Sequence, residues 1–319
     1  MVTPSGNPRW GGGPSGPPPF SRPRPPREAT LRFHDTTIKA RDGFELAATL
    51  FIPPDNPSNT WVTINSATAT PRRFYQPFAT YLAGRGWGVV TYDYRGIGDS
   101  KPNGLKGFSA RARDWALLDM AGVLDWLAGE KTPARIFHVG HSYGGQTAGL
   151  LPNAGLISAM VTSSAQSGYW RLQGGNQKLA VALHVHLTMP LTARLLGYVP
   201  WSWFSKAEDL PKGVAQEWAK WCRDPKYLLG DPTLPLAGFA DFAAPVLAYS
   251  FTDDDWGTAK AVDAMMKAYP KLDRRHVSPR DAGLESLGHF GFFRKNAAQL
   301  WHEAADWLEG AAPLSPPVP

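Results

Sequence analysis

The six residues Gly140-His141-Ser142-Tyr143-Gly144-Gly145 point most directly to chemistry. They follow an apolar, β-rich run from Arg135 to Val139 and precede a helix-compatible stretch from Gln146 to Leu151. In that setting G-x-S-x-G marks a sharp strand-to-helix turn, a nucleophile elbow, which lifts a serine hydroxyl off a sheet and beside free amides at a helix start. A Cβ at Gly140 or Gly144 would collide with neighbouring backbone, so both glycines have a steric reason to be there. A serine hydroxyl is a weak nucleophile at neutral pH. It needs a base within hydrogen-bond reach and a group that orients the base.

Both should lie downstream. His289, in Leu287-Gly288-His289-Phe290-Gly291, falls in a glycine-flanked loop ahead of the last helix, where a histidine can reach across strand ends. The other histidines are worse placed. His184 and His186 face opposite sides of a helix, His302 sits inside the last helix, His34 and His276 lie in or near edge strands, and His141 belongs to the elbow. An acid is expected after the run Pro245 to Ser250, where Asp253, Asp254 and Asp255 follow one another. Mutual repulsion lets at most one or two of them point inward, and one could instead cap a helix starting near Thr258. An oxyanion formed on attack needs two donors. The Tyr143 amide is the first, and the small residues of Asn65-Ser66-Ala67-Thr68-Ala69-Thr70 offer the Ala67 amide as the second. The turn Asp93-Tyr94-Arg95-Gly96-Ile97-Gly98-Asp99-Ser100 lacks dinucleotide or P-loop spacing and reads as support for the site.

The elements that would position these residues follow from periodicity. Thr30 to Ile38 and Phe44 to Ile52 alternate as a hairpin about Asp42-Gly43. Short apolar runs at Trp61 to Asn65, Trp87 to Tyr92, Arg135 to Val139, Leu156 to Thr162 and Pro245 to Ser250 read as buried parallel strands. Between them Phe74, Phe78, Tyr81 and Leu82, and then Leu117, Met120, Leu124 and Leu127, recur at helical spacing, as do Leu300, Trp301, Ala304 and Trp307 near the end. The expected architecture is α/β, a mostly parallel sheet with helices on both faces, formed by residues 29–166 and 236–310. Residues 167–235 show helical patterns and prolines without a convincing strand, and read as an inserted helical cap. The cap holds five of the 13 tryptophans: Trp170, Trp201, Trp203, Trp218 and Trp221. Residues 1–28, with nine prolines and five glycines, and residues 311–319 are expected to be disordered tails.

Composition narrows the function classes. Of 319 residues 43% are hydrophobic and 19% charged, which suits a globular body with a large core. The net charge is +6, but Arg9, Arg22, Arg24 and Arg27 against Glu28 place half of it in the first tail, and no nucleic-acid motif accompanies it. Nucleic acid is therefore not an expected partner. Cys222 is the only cysteine, which excludes an intrachain disulfide and a thiolate zinc site and favours a cytoplasmic location. The most apolar stretch, Leu179 to Tyr198, is interrupted by His184, His186, Pro190 and Arg194 and reads as an amphipathic helix, so stable membrane insertion is not expected. Nothing in the chain indicates an oligomeric state.

With these residues in view the chain resembles the α/β-hydrolase superfamily over residues 30–310, and within it predicted serine hydrolases related to serine aminopeptidase and monoacylglycerol lipase-like members. The carrying residues are the elbow, the turn from Asp93 to Ser100, the Asp253-Asp254 pair and Gly288-His289-Phe290. Where superfamily members commonly carry His-Gly in the oxyanion loop, this chain has Asn65-Ser66. The resemblance places the acid a few residues past the strand end at Ser250, which favours Asp254. It implies a cofactor-free, metal-free serine hydrolase acting on a small-molecule acyl substrate, with Ser142, His289 and Asp254 as its triad. An ester or thioester of an apolar acyl group is the expected substrate. The same triad would serve acyl transfer or peptide cleavage, and a member that lost its chemistry would only bind a small molecule. The intact Ser, Asp and His set argues against the last of these, and serine at the elbow in place of aspartate argues against a dehalogenase.

Overall fold

The computed structural model describes residues 31–203 and 207–312. The tail expected over 1–28 lies outside the described residues. So does the tail expected over 311–319, apart from Ala311, which closes the last helix (Ala298–Ala311), and Ala312.

Ten strands occur among the described residues. They are β1 (Arg32–Lys39), β2 (Glu45–Ile52), β3 (Thr60–Asn65), β4 (Gly88–Tyr92), β5 (Arg135–His141), β6 (Ile157–Ser163), β7 (Tyr198–Val199), β8 (Leu210–Pro211), β9 (Val246–Phe251) and β10 (Leu272–Val277). Eight form one sheet in the order β1-β2-β4-β3-β5-β6-β9-β10, in which β2 runs antiparallel to both its neighbours and every other pairing is parallel. The hairpin turns at Gly43, whose φ of 86° suits glycine. This is the α/β-hydrolase arrangement expected from the resemblance.

Alternate residues of the central strands feed two cores. Val62 and Ile64 of β3, Val89 of β4, and Phe137 and Val139 of β5 join Phe78 and Leu82 of the helix Gln76–Gly84 and Trp301 of the last helix. On the other face Val90, Tyr92 and Ile136 join Trp115, Met120 and Leu124 from the helical segment 112–130. Two structural features depart from the sequence reading. β10 was not among the apolar runs, because Asp273, Arg274 and Arg275 make it polar; it pairs only with β9, and an edge strand tolerates such charge. Residues 167–235 also contain strand after all, the two-residue antiparallel ribbon of β7 and β8, which is too short to leave a periodic signal.

The helix Gln177–Leu196 differs from expectation as well. Val181, Val185, Met189 and Ala193 face inward and are buried, but the outward side carries Leu179, Leu183, Leu187, Leu191 and Leu195, all exposed. Both sides are apolar, so the helix is not amphipathic. By length and composition it is the one helix among the described residues that could cross a membrane.

The turn after β4 is fixed from below by an ion pair. Arg95 donates from Nε to Asp119 at 2.7 Å and from its backbone amide at 2.9 Å, while Asp42 takes its other two nitrogens at 2.7 and 2.9 Å. Trp115 donates to the Arg95 carbonyl at 3.0 Å, stacks on Tyr94 and meets Tyr143 edge-on. The pair thus anchors the layer directly under the residue after Ser142. Asp119→Ala would strand a buried guanidinium on a single half-exposed partner, and the unfolding free energy should fall by about 3 kcal/mol. A shifted urea midpoint at unchanged slope would register this, whereas a loss below about 1 kcal/mol would mean that Asp42 suffices.

Candidate active site

Ser142 follows β5 directly, at φ 49° and ψ −115°, a conformation that costs a non-glycine residue of order 1–3 kcal/mol. The surroundings hold it there. Its amide donates to the Ser163 carbonyl at 2.9 Å, and its own carbonyl accepts from Gly145 and Gln146 at 3.0 and 3.1 Å. Gly144 lies so close to the Asn65 carbonyl that a Cβ could not fit, and its amide donates to Ser66 at 3.1 Å. Beneath the turn the buried His138 contacts the Gly144 carbonyl through Nε2 at 2.9 Å and Asn65 Nδ2 through Nδ1 at 3.2 Å. A carbonyl acceptor on Nε2 and an amide donor on Nδ1 fix the ring as the Nε2–H tautomer.

Of the three consecutive aspartates, Asp254 is the one that meets His289, with Oδ2 at 2.9 Å and Oδ1 at 3.2 Å from Nδ1. Asp254 is buried at the end of β9, where it also accepts from the amides of Trp256 and Gly257 at 2.9 and 2.7 Å and from the Ser164 hydroxyl at 2.7 Å. Burial alone would raise its pKa. The His289 ring, followed by these donors, outweighs burial and holds the carboxyl at about 2. Asp253 instead accepts from the Leu287 amide at 2.8 Å, which steadies the loop that carries His289. Asp255 contacts Gly174 and Gly175 of the 167–235 segment.

Ser142 and His289 open into the same cavity, yet no hydrogen bond joins them among the described residues. The Ser142 hydroxyl instead donates to Gln166 at a long 3.4 Å. The cavity encloses about 210 Å³. Trp201, Trp218, Trp256, Val181 and Phe290 give it apolar walls, Gln146, Gln166 and Gln173 supply amides, and no Asp, Glu, Lys or Arg lines it among the described residues. The three glutamines were missed in the sequence because lone polar residues carry no periodic signal. No cluster of His, Cys, Asp or Glu suited to a metal occurs among the described residues.

The expected oxyanion donors fare differently. The Tyr143 amide donates to no partner among the described residues and stays open at the helix start. Ala67 lines the cavity, but its amide is not a free donor, because it is committed to the Tyr75 hydroxyl at 2.8 Å. The next residue, Thr68, also lines the cavity, and its amide makes no hydrogen bond among the described residues. Tyr75 in turn contacts His141 Nδ1 at 2.8 Å, and His141 Nε2 contacts the His289 carbonyl at 2.8 Å. Because that carbonyl can only accept, His141 donates from Nε2 and receives the Tyr75 hydroxyl proton on Nδ1. One line of hydrogen bonds therefore joins the 65–68 loop to the backbone of His289. The histidine inside the elbow motif, set aside as mere context in the sequence, is its central link.

The profile of the family described as serine aminopeptidase, S33, matches residues 62–227, just over half of the chain. No curated protein matches. Among solved structures the chain is similar to an esterase from Pyrococcus furiosus at 16% identity and TM-score 0.59, covering 93% of this chain and 97% of that one. It is also similar to an esterase from Exiguobacterium antarcticum (15%, TM-score 0.56, covering 86% and 100%). A Butyrivibrio proteoclasticus protein solved with ferulic acid bound gives 15% identity and TM-score 0.59, covering 86% and 98%. At these identities the likeness is one of fold.

The two buried histidines give the fold a pH dependence. Burial pushes His138 from 6.5 down to about 4 and, with the neighbouring His289, pushes His141 to about 3. As pH falls from 6.5 to about 4 the unfolded chain takes up two protons that the folded chain refuses, so stability should drop across that window. Denaturation midpoints measured through it should fall steadily as acid is added, and a flat profile would mean that neither ring is held neutral.

Proposed function

The chain belongs to the serine aminopeptidase S33 family of α/β-hydrolases, and on that premise we propose that it is a serine esterase or thioesterase acting on an apolar acyl group. The observation that carries this reading is the Asp254–His289 contact opening with Ser142 into one cavity whose described lining holds no Asp, Glu, Lys or Arg. Ser142 Oγ attacks the acyl carbon while His289 Nε2 takes its proton. Asp254 keeps the other ring proton on Nδ1 and stabilises the imidazolium that forms. The oxyanion is received by the Tyr143 amide and by a second amide of the 65–68 loop, Thr68 being the open one. His289 then returns its proton to the departing alcohol or thiol, and water repeats the sequence on the acyl-enzyme.

Ser142 is turned to Gln166, and substrate binding would bring it into line with His289, as such contacts commonly tighten only in the complex. The segment 167–235 acts as the cap, since Gly168, Gln173, Val181, Trp201 and Trp218 all reach the cavity from it. The family description would suggest cleavage at a free amino terminus. A site for an ammonium group needs a carboxylate to meet it, and the described lining offers none, which favours an ester or thioester over a peptide.

Turnover of a short p-nitrophenyl ester tests the assignments. Ser142→Ala should lose roughly a millionfold in kcat with unchanged circular dichroism. Asp254→Asn should lose roughly ten-thousandfold, while Asp253→Asn and Asp255→Asn stay within about tenfold of the parent. An active Ser142→Ala protein, or a dominant loss at Asp253 or Asp255, would overturn the corresponding role.

A further inference from the structure

We propose that the outward face of the helix Gln177–Leu196 docks the protein on an anionic lipid surface. Leu179, Leu183, Leu187, Leu191 and Leu195 recur at every fourth position and are between 49% and 71% exposed. Their row is about 24 Å long at 1.5 Å per residue. Singly scattered apolar residues need no explanation, but a continuous row of five leucines does. The same segment also exposes Trp203, a side chain suited to a headgroup boundary.

Charge selects the occupant. From Lys131 to Ala207 the chain contains no aspartate or glutamate, and Arg171, Lys178 and Arg194 stand exposed without an ion pair among the described residues. A basic, leucine-faced helix complements a surface that is apolar beneath and negative at its headgroups. A second copy of this chain would bring cation against cation on the same face with no carboxylate between them. The first 28 residues are a poor cover for the same reason, since their charge is also positive and Met1, Val2, Trp10 and Phe20 are their only large apolar side chains. The helix lies on the surface and does not cross it, because Val181, Val185, Met189 and Ala193 are buried against the body. Val181 also lines the cavity beside Ser142, so docking would set the roof of that cavity against the lipid.

The inference does not depend on the assigned chemistry, and flotation of the full-length Ser142→Ala protein with vesicles tests it apart from turnover. The protein should float with phosphatidylcholine vesicles containing phosphatidylglycerol, much less with phosphatidylcholine alone, and should be released by salt. The exposed pair Leu183→Gln and Leu187→Gln should reduce binding roughly tenfold at unchanged melting temperature, and Lys178→Gln with Arg194→Gln should reduce it by a similar factor. Absence of flotation with anionic vesicles would overturn the proposal. So would undiminished binding by the leucine variant, or a dimer in solution that this variant converts to monomer. The salt and lipid dependence of the parent stands even if a variant fails to fold.

Discussion

A serine at φ 49° is stable only where its neighbours leave it no alternative, and the strand ends of this protein are arranged around that requirement. The turn closes because Gly140 and Gly144 let backbone approach backbone, and Gly144 is set against the Asn65 carbonyl. That contact, with the Gly144 amide donating to the Ser66 carbonyl, ties the turn after β5 to the loop after β3. His138 and Asn65 fill the space beneath with a buried hydrogen-bonded network. The buried neutral rings are the electrostatic consequence of packing polar side chains there to brace a strained turn.

The same constraint reaches the other half of the site. His141, the residue before the serine, is aimed by the turn toward Tyr75 on one side and the His289 carbonyl on the other. Residues on three separate loops are thereby held in one register: Ala67 through Tyr75, Ser142 through its own backbone, and His289 through its carbonyl. Asp254 completes the frame from β9, with Ser164 and two amides satisfying the carboxylate on the sides away from His289.

Much of this was legible in the sequence where a physical rule is local. The strand-glycine-serine-glycine-helix order marks Ser142 as a candidate and the glycine-flanked loop before the last helix marks His289, and the two line one cavity. Apolar runs gave the inner strands, but β10 escaped because an edge strand need not be apolar. Three aspartates in a row could not be told apart by type, since which of them meets His289 depends on how the chain turns after β9. Ala67 suits an oxyanion donor by its small side chain alone. Its amide partner, Tyr75, lies eight residues on and becomes visible only once the helix start folds back under the loop. The row of leucines could be counted in the sequence, yet whether a fourfold repeat faces core or solvent depends on burial. Val181, Val185, Met189 and Ala193 repeat at the same interval and face the other way.

The central claim is that Ser142 is a nucleophile activated by His289, and covalent labelling with a fluorophosphonate tests it without knowledge of the substrate. The folded protein should take up one probe per chain, mapped by peptide mass to Ser142, and His289→Ala should suppress the labelling while leaving the fold intact. A folded protein that resists the probe, or labelling at another serine, would contradict the account.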